Sequence, residues 1–106
     1  MGQLYSSGIW IAKPGREAEF VAAWDEFASW SLSAIDGASW AVLLKDRSQS
    51  NRFVSFGPWD SLEQMEAWRS HPGFAERVDV IRLLIESLEP FTLEAVVEVG
   101  TGPRSG

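Results

Sequence analysis

The sequence contains no cysteine, one histidine and one tyrosine. Without cysteine there are no disulfides, no thiolate metal ligands and no cysteine nucleophile. The lone His71 has no carboxylate three or four residues further on, so it nucleates no metal site. Positive charge is scarce: nine Lys and Arg stand against 15 Asp and Glu, a net charge of −6. No basic cluster is present to neutralise a phosphate backbone or to sit on an acidic bilayer, which argues against nucleic acid and membrane as partners. No apolar run approaches the length of a membrane span. The start "MGQLYSSGIW" has neither the basic head nor the apolar stretch of a signal peptide, and it is a weak myristoylation match. A cytoplasmic location is expected. Nucleotide-binding glycine patterns and the G-x-S-x-G elbow are also missing. No cofactor and no metal are therefore expected.

Aromatic residues are plentiful instead, with six Trp and six Phe in 106 residues. That length suits one domain with a single apolar core. We read residues 1–100 as this domain and the small, polar tail 101–106 as disordered. "LYSSGIWIA" (4–12) has strand composition and ends at a Pro14–Gly15 turn. In the next segment Phe20, Trp24, Phe27, Ser31 and Ala34 form one helical stripe, with Trp30 at its edge as a pocket wall or dimer contact. "DG" at 36–37 turns the chain into a second strand over 38–46, apolar on both faces. After a polar loop, "RFVSFGPW" (52–59) alternates, with Phe53, Ser55, Gly57 and Trp59 on one side. "SLEQ" at 61–64 is a capping box for a short helix carrying Leu62, Met65 and Arg69, and "HPG" breaks it. The stripe Phe74, Val78, Ile81, Ile85, Leu88 predicts a helix over 74–88, stopped by Pro90. "FTLEAVVEV" (91–99) then predicts the last strand, with Phe91, Leu93, Ala95, Val97 and Val99 inward.

The order β–α–β–β–α–α–β is the split βαβ, ferredoxin-like pattern of an α+β domain, an antiparallel sheet with helices on one face. The two-sided apolar second strand needs cover on the other sheet face. A homodimer with its sheets face to face supplies that cover.

The segments "KPGREAEFVAAW", "DGASWAVLLKD" and "NRFVSFGPWDSLEQMEAWRSHPGF" resemble the antibiotic biosynthesis monooxygenase superfamily over about residues 4–99. Members share a Pro-Gly turn before the first helix and a Trp-Asp/Glu-Ser tripeptide closing strand three, here Trp59–Asp60–Ser61. The resemblance implies a dimeric α+β barrel. Some members degrade haem, and the position of their iron-binding His falls here on Val78, with their strand-one Asn near Gly8. Others oxidise phenolic polycycles to quinones without a cofactor, in a pocket between sheet and helices, and Trp59 matches their strand-three Trp.

These readings yield a candidate site. Trp59, His71 and Arg69 are the catalytic candidates, with Trp59 and Trp68 holding a ring plane and His71 or Arg69 handling a phenolic proton or oxygen. Trp10, Phe27, Phe56, Met65, Trp68 and Phe74 are the substrate-binding candidates, suited to a small aromatic or polyketide-like ligand. Each has a structural counter-reading. His71 precedes Pro72, which favours a solvated helix exit. Arg69 has Glu66 and Asp60 within reach as surface partners, and Trp24 and Trp40 read as core or interface. The function expected is a small cofactor-independent monooxygenase. The alternative is a non-catalytic dimeric module that binds an apolar ligand.

Overall fold

The structure is a computed structural model and describes residues 2–100. The expected disordered tail lies outside the described residues. Seven elements follow in order: β1 (Leu4–Ala12), α1 (Glu17–Ala34), β2 (Val42–Lys45), β3 (Arg52–Trp59), α2 (Leu62–Ser70), α3 (Pro72–Arg82) and β4 (Ile85–Glu94). The strands form one antiparallel sheet in the order β2-β3-β1-β4. This is the expected α+β, ferredoxin-like arrangement.

Local signals account for most element ends. Gly15 takes a positive φ of 85° between β1 and α1, a conformation that suits glycine. Glu17 and Glu19 occupy the first turn of α1, where negative charge meets the positive end of the helix dipole. Ser61 caps α2 by accepting a 3.2 Å hydrogen bond from the Gln64 backbone N–H. The Gln64 side chain meets the Ser61 hydroxyl instead of completing the box on the backbone. In the β2–β3 loop, the Ser48 backbone N–H and then Arg52 hold the Asp46 carboxyl below the usual range.

The ends of α3, β4 and β2 depart from the sequence reading. Helix α3 stops at Arg82, and Ile85 and Leu88 belong to β4. Their spacing fits a helical stripe, but pairing with β1 runs from Leu4↔Glu94 to Ala12↔Ile85 and uses every residue of that strand. The long ladder overrides the local pattern. Pro90 sits inside β4 opposite Gly8, which an edge strand tolerates. The ladder ends at Glu94, and among the described residues beyond it only the Ala95 backbone N–H bonds back, to the Gln3 carbonyl. Val97 and Val99, expected inward, are thus exposed, as is Val96. Strand β2 is likewise shorter than expected. The Trp40 carbonyl and Ala41 pass so close over Gly57 that a Cβ there would lie 2.7 Å from the carbonyl oxygen.

The helices cover one sheet face. Trp10, Phe20, Phe53, Val78 and Ile81 form the centre of the core, and the Phe20 ring touches Trp10 at 5.5 Å and Phe53 at 5.0 Å. Strand alternation sends Tyr5, Phe56, Val54, Leu44, Phe91 and Leu93 to the opposite face. Leu44, Phe91 and Leu93 are 38–48% exposed there. This face is the uncovered apolar surface that the second strand foretold.

Candidate functional site: an aromatic cavity above the sheet

The two central strands carry small residues at mid-length. On the helix side, β1 presents Ser6 and Gly8 before Trp10, and β3 presents Ser55 and Gly57 before Trp59. Large residues at the ends and small ones between leave a hollow. It is a cavity of about 300 Å³ between the sheet and all three helices, at the small end of ligand pockets, which run roughly 300–1,000 Å³. Trp24, Phe27 and Ser31 of α1, Trp68 of α2, and Phe74 and Val78 of α3 form its roof and walls. Its lining is mostly apolar.

Each of three wall tryptophans donates its indole N–H to a serine. Trp10 Nε1 reaches Ser55 Oγ at 2.9 Å, Trp59 Nε1 reaches Ser6 Oγ at 3.0 Å, and Trp68 Nε1 reaches Ser31 Oγ at 2.8 Å. A buried indole N–H without an acceptor is costly, so these serines fix the rings in place. Gly8 is part of the same device, because a Cβ there would lie 2.9 Å from Trp10 Nε1. Only a residue without a side chain lets the indole lie back across the strand.

The structure brings most of the expected residues together. Trp10, Phe27, Trp59, Trp68, Arg69 and Phe74 all line the cavity. Trp59 and Trp68 do not form a sandwich. Their rings are in tilted contact at 5.0 Å, with no space for a third ring between them. Trp68 continues onto Phe27 at 5.7 Å and Phe74 at 4.9 Å, so the four rings make one wall. Phe56 borders the cavity, but alternation turns its ring to the far sheet face. There it makes edge contacts with Tyr5 and Trp40.

Two candidates lie elsewhere. Met65 is fully buried behind the wall, and its sulfur accepts the Thr92 hydroxyl at 3.7 Å. His71 caps α3: its Nδ1 accepts from the Gly73 backbone N–H at 2.9 Å, and Pro72 takes the first helical position. Its ring rests edge-on against Trp30 at 5.1 Å. The imidazole is spent on the helix start and does not line the cavity. Trp30 is also off the cavity, held under the Arg77 guanidinium at 4.5 Å. Trp24 and Trp40, read as core or interface, also border the cavity: Trp24 packs against the core as well, and the Trp40 ring meets Tyr5 and Phe56.

Charge enters only at the rim. Arg69 is exposed, donates to Thr92 Oγ1 at 3.1 Å, and pairs with neither Glu66 nor Asp60. Arg82 at the end of α3 is a lining residue that the sequence reading missed. Its signal was the spacing Phe74, Val78, Arg82, which puts all three on one helical line. Among the described lining residues these two arginines are the only ionisable side chains. Val78 and Gly8, the positions matching the haem-degraders' His and Asn, both line the cavity and offer no ligating side chain. No group of three or more metal-ligating side chains occurs among the described residues.

A split βαβ sheet with a walled aromatic cavity between sheet and helices defines a small α+β protein with a pocket sized for one small molecule. The antibiotic biosynthesis monooxygenase family model matches residues 9–79, well over half of the chain, and the chain belongs to that family. No curated protein matches it. Among solved structures it is similar to SnoaB, a cofactor-independent oxygenase from Streptomyces nogalater, at 19% identity and a TM-score of 0.85, covering 93% of this chain and 98% of that one. A protein of Chloroflexus aurantiacus assigned to the antibiotic biosynthesis monooxygenases is 26% identical, with a TM-score of 0.74 and coverage of 94% and 99%. A Deinococcus radiodurans protein with the same assignment is 22% identical, at 0.79, covering 92% and 96%. Among the described residues no helix is long and apolar enough to cross a membrane.

Proposed function

We propose that this chain is a cofactor-independent monooxygenase that oxidises an electron-rich phenolic aromatic compound in the cavity above the sheet. The observation that carries the reading is the cavity itself, a hollow walled by Trp and Phe whose only charged side chains among the described residues are Arg69 and Arg82 at the rim. A flat aromatic ring displaces water from such walls at a gain of about 25 cal/mol per Å² of apolar surface. The arginines cannot accept a proton. They favour the phenolate or enolate form of the ligand, and its proton leaves to solvent through the mouth. That anion is the electron donor to dioxygen. For a methylene between aromatic rings the balance is simple: one O₂ is consumed, one oxygen atom becomes the new carbonyl, and the other leaves with the two methylene hydrogens as water. SnoaB, a relative by fold, is named as a cofactor-independent oxygenase.

The lining favours one competing reading. It offers no Asp, Glu, His, Lys or Tyr side chain among the described residues, hence no general base. A dimeric module that binds a small apolar ligand without reaction needs none. Oxygen uptake with a panel of anthrones and hydroquinones, no cofactor added, separates the two. Uptake above buffer supports the enzyme, and tight binding without uptake supports the module.

The uncovered sheet face supports a homodimer with the two sheets packed together, the dimeric α+β barrel that the sequence resemblance implied. Leu44 on one edge strand and Phe91 and Leu93 on the other stand exposed on it. A sedimentation mass of twice the 11.8 kDa chain is expected at micromolar concentration. Leu93→Lys, which would bury a charge between the two sheets, is expected to return it to the single-chain value.

A further inference from the structure

The serines that hold the wall tryptophans have hydroxyl protons of their own, and these differ in what they meet. Ser31 Oγ donates to the Phe27 carbonyl at 2.7 Å, so its proton is used. Ser6 and Ser55 accept from Trp59 and Trp10, but neither hydroxyl donates a hydrogen bond to any described residue. Both line the cavity, and Ser55 is only 7% exposed. A buried hydroxyl that accepts without donating has an unused proton, and the open direction is the cavity. The indole N–H on each oxygen also polarises the O–H outward, strengthening it as a donor.

We propose, building on the aromatic-ligand reading above, that Ser6 and Ser55 are the polar floor of the binding site and donate hydrogen bonds to acceptor oxygens of the ligand. The register sets their spacing. Ser6 lies opposite Gly57 and Ser55 opposite Gly8, so the two are diagonal neighbours on adjacent strands. Diagonal neighbours stand about 7–8 Å apart, their Cβ atoms somewhat closer, a separation that serves two oxygens on one ring system better than a single atom. The ligand class that follows is a planar aromatic with two carbonyl or phenolate oxygens, in preference to the bare hydrocarbon. The tryptophans make the walls, and by clamping the serines they also orient the donors.

The test compares 1,4-naphthoquinone with naphthalene, probes of the same ring shape with and without acceptor oxygens, by equilibrium dialysis against the full chain. The absence of cysteine removes thiol addition to the quinone as a complication. The wild type is expected to prefer the quinone by roughly tenfold or more, given about three- to tenfold for each hydrogen bond. Ser55→Ala is expected to cut that ratio by about three- to tenfold, and Ser6→Ala to do so independently. Trp10→Phe is the discriminating variant. It breaks the same Trp10–Ser55 bond but leaves the hydroxyl, so it is expected to weaken both probes and to lower the ratio by less than about twofold, the loss of polarisation alone, well short of the effect of Ser55→Ala. A ratio that falls equally in Trp10→Phe and Ser55→Ala overturns the inference and makes the serines purely structural clamps. A ratio that survives both serine variants also overturns it. If the wild type binds both probes without preference, the inference fails while the aromatic-ligand reading stands. If it binds neither, both fall together.

Discussion

Replacing His71 by alanine separates a structural from a chemical role for the only histidine. The side chain caps α3 through Nδ1 and rests against Trp30. Loss of an N-cap acceptor costs about 0.5–2 kcal/mol. An aromatic edge contact adds roughly 0.5–1.5 kcal/mol, near its lower end at this exposed position. The sum is about 1–2 kcal/mol. For a domain of this length that lowers the melting temperature by roughly 5–10 °C. His71→Asn keeps a good cap acceptor and is expected to recover the capping part, about half of the loss or more. Thermal unfolding followed by circular dichroism reads both values. Oxygen uptake at a temperature where each variant is folded is expected to stay within about twofold of wild type, because the imidazole is not in the cavity lining. A His71→Ala protein with unchanged melting temperature and abolished uptake would refute the reasoning and restore His71 as a base.

Two further substitutions probe the site. Gly8→Ala puts a methyl group 2.9 Å from Trp10 Nε1, so the indole must leave Ser55. The expected cost is about 1–3 kcal/mol for stranding two buried polar atoms, visible in near-ultraviolet circular dichroism of the tryptophans. An unaltered spectrum and stability would show that the strand absorbs the methyl group. Arg82→Gln removes one of two rim charges. An anion about 4 Å away at a wet surface loses roughly 1 kcal/mol or somewhat more, so a phenolate ligand is expected to bind about five- to tenfold more weakly. The dependence should fade at high salt, and equal losses for neutral and anionic ligands would argue against an electrostatic role.

Particular residues show what the sequence carried. Phe20, Phe27 and Ser31 are buried on α1 as their spacing predicted, and Phe53, Ser55, Gly57 and Trp59 all face the helices. Periodicity reports such faces directly. It fails where two periods coincide. Ile81, Ile85 and Leu88 satisfy a helix, and only the ladder with β1, 73 residues away at Ala12↔Ile85, decides for a strand. The hollow was legible in part, since small residues alternate at the middle of β1 and β3 between large ones. The pairing of each tryptophan with its serine was not. Trp10 meets Ser55 only because the register sets Gly8 opposite Ser55, and no local pattern encodes a register between distant strands. For His71 the sequence offered a catalytic candidate and, against it, a solvated helix exit; its exposed place between α2 and α3 fits the second, and the cap on α3 adds a role that neither reading named. Pro72 directly after it marks a helix start and an N-cap position just as well.

The most direct test of the central claim is oxygen consumption by the purified chain with an anthrone as sole substrate and ¹⁸O₂ as the gas. The account predicts uptake of one O₂ for each quinone formed, one ¹⁸O atom in the new carbonyl, and a marked fall in rate for Trp59→Ala and for the Arg69→Gln, Arg82→Gln pair. Tight binding of the anthrone with no uptake above buffer, or uptake indifferent to all three cavity residues, would contradict it.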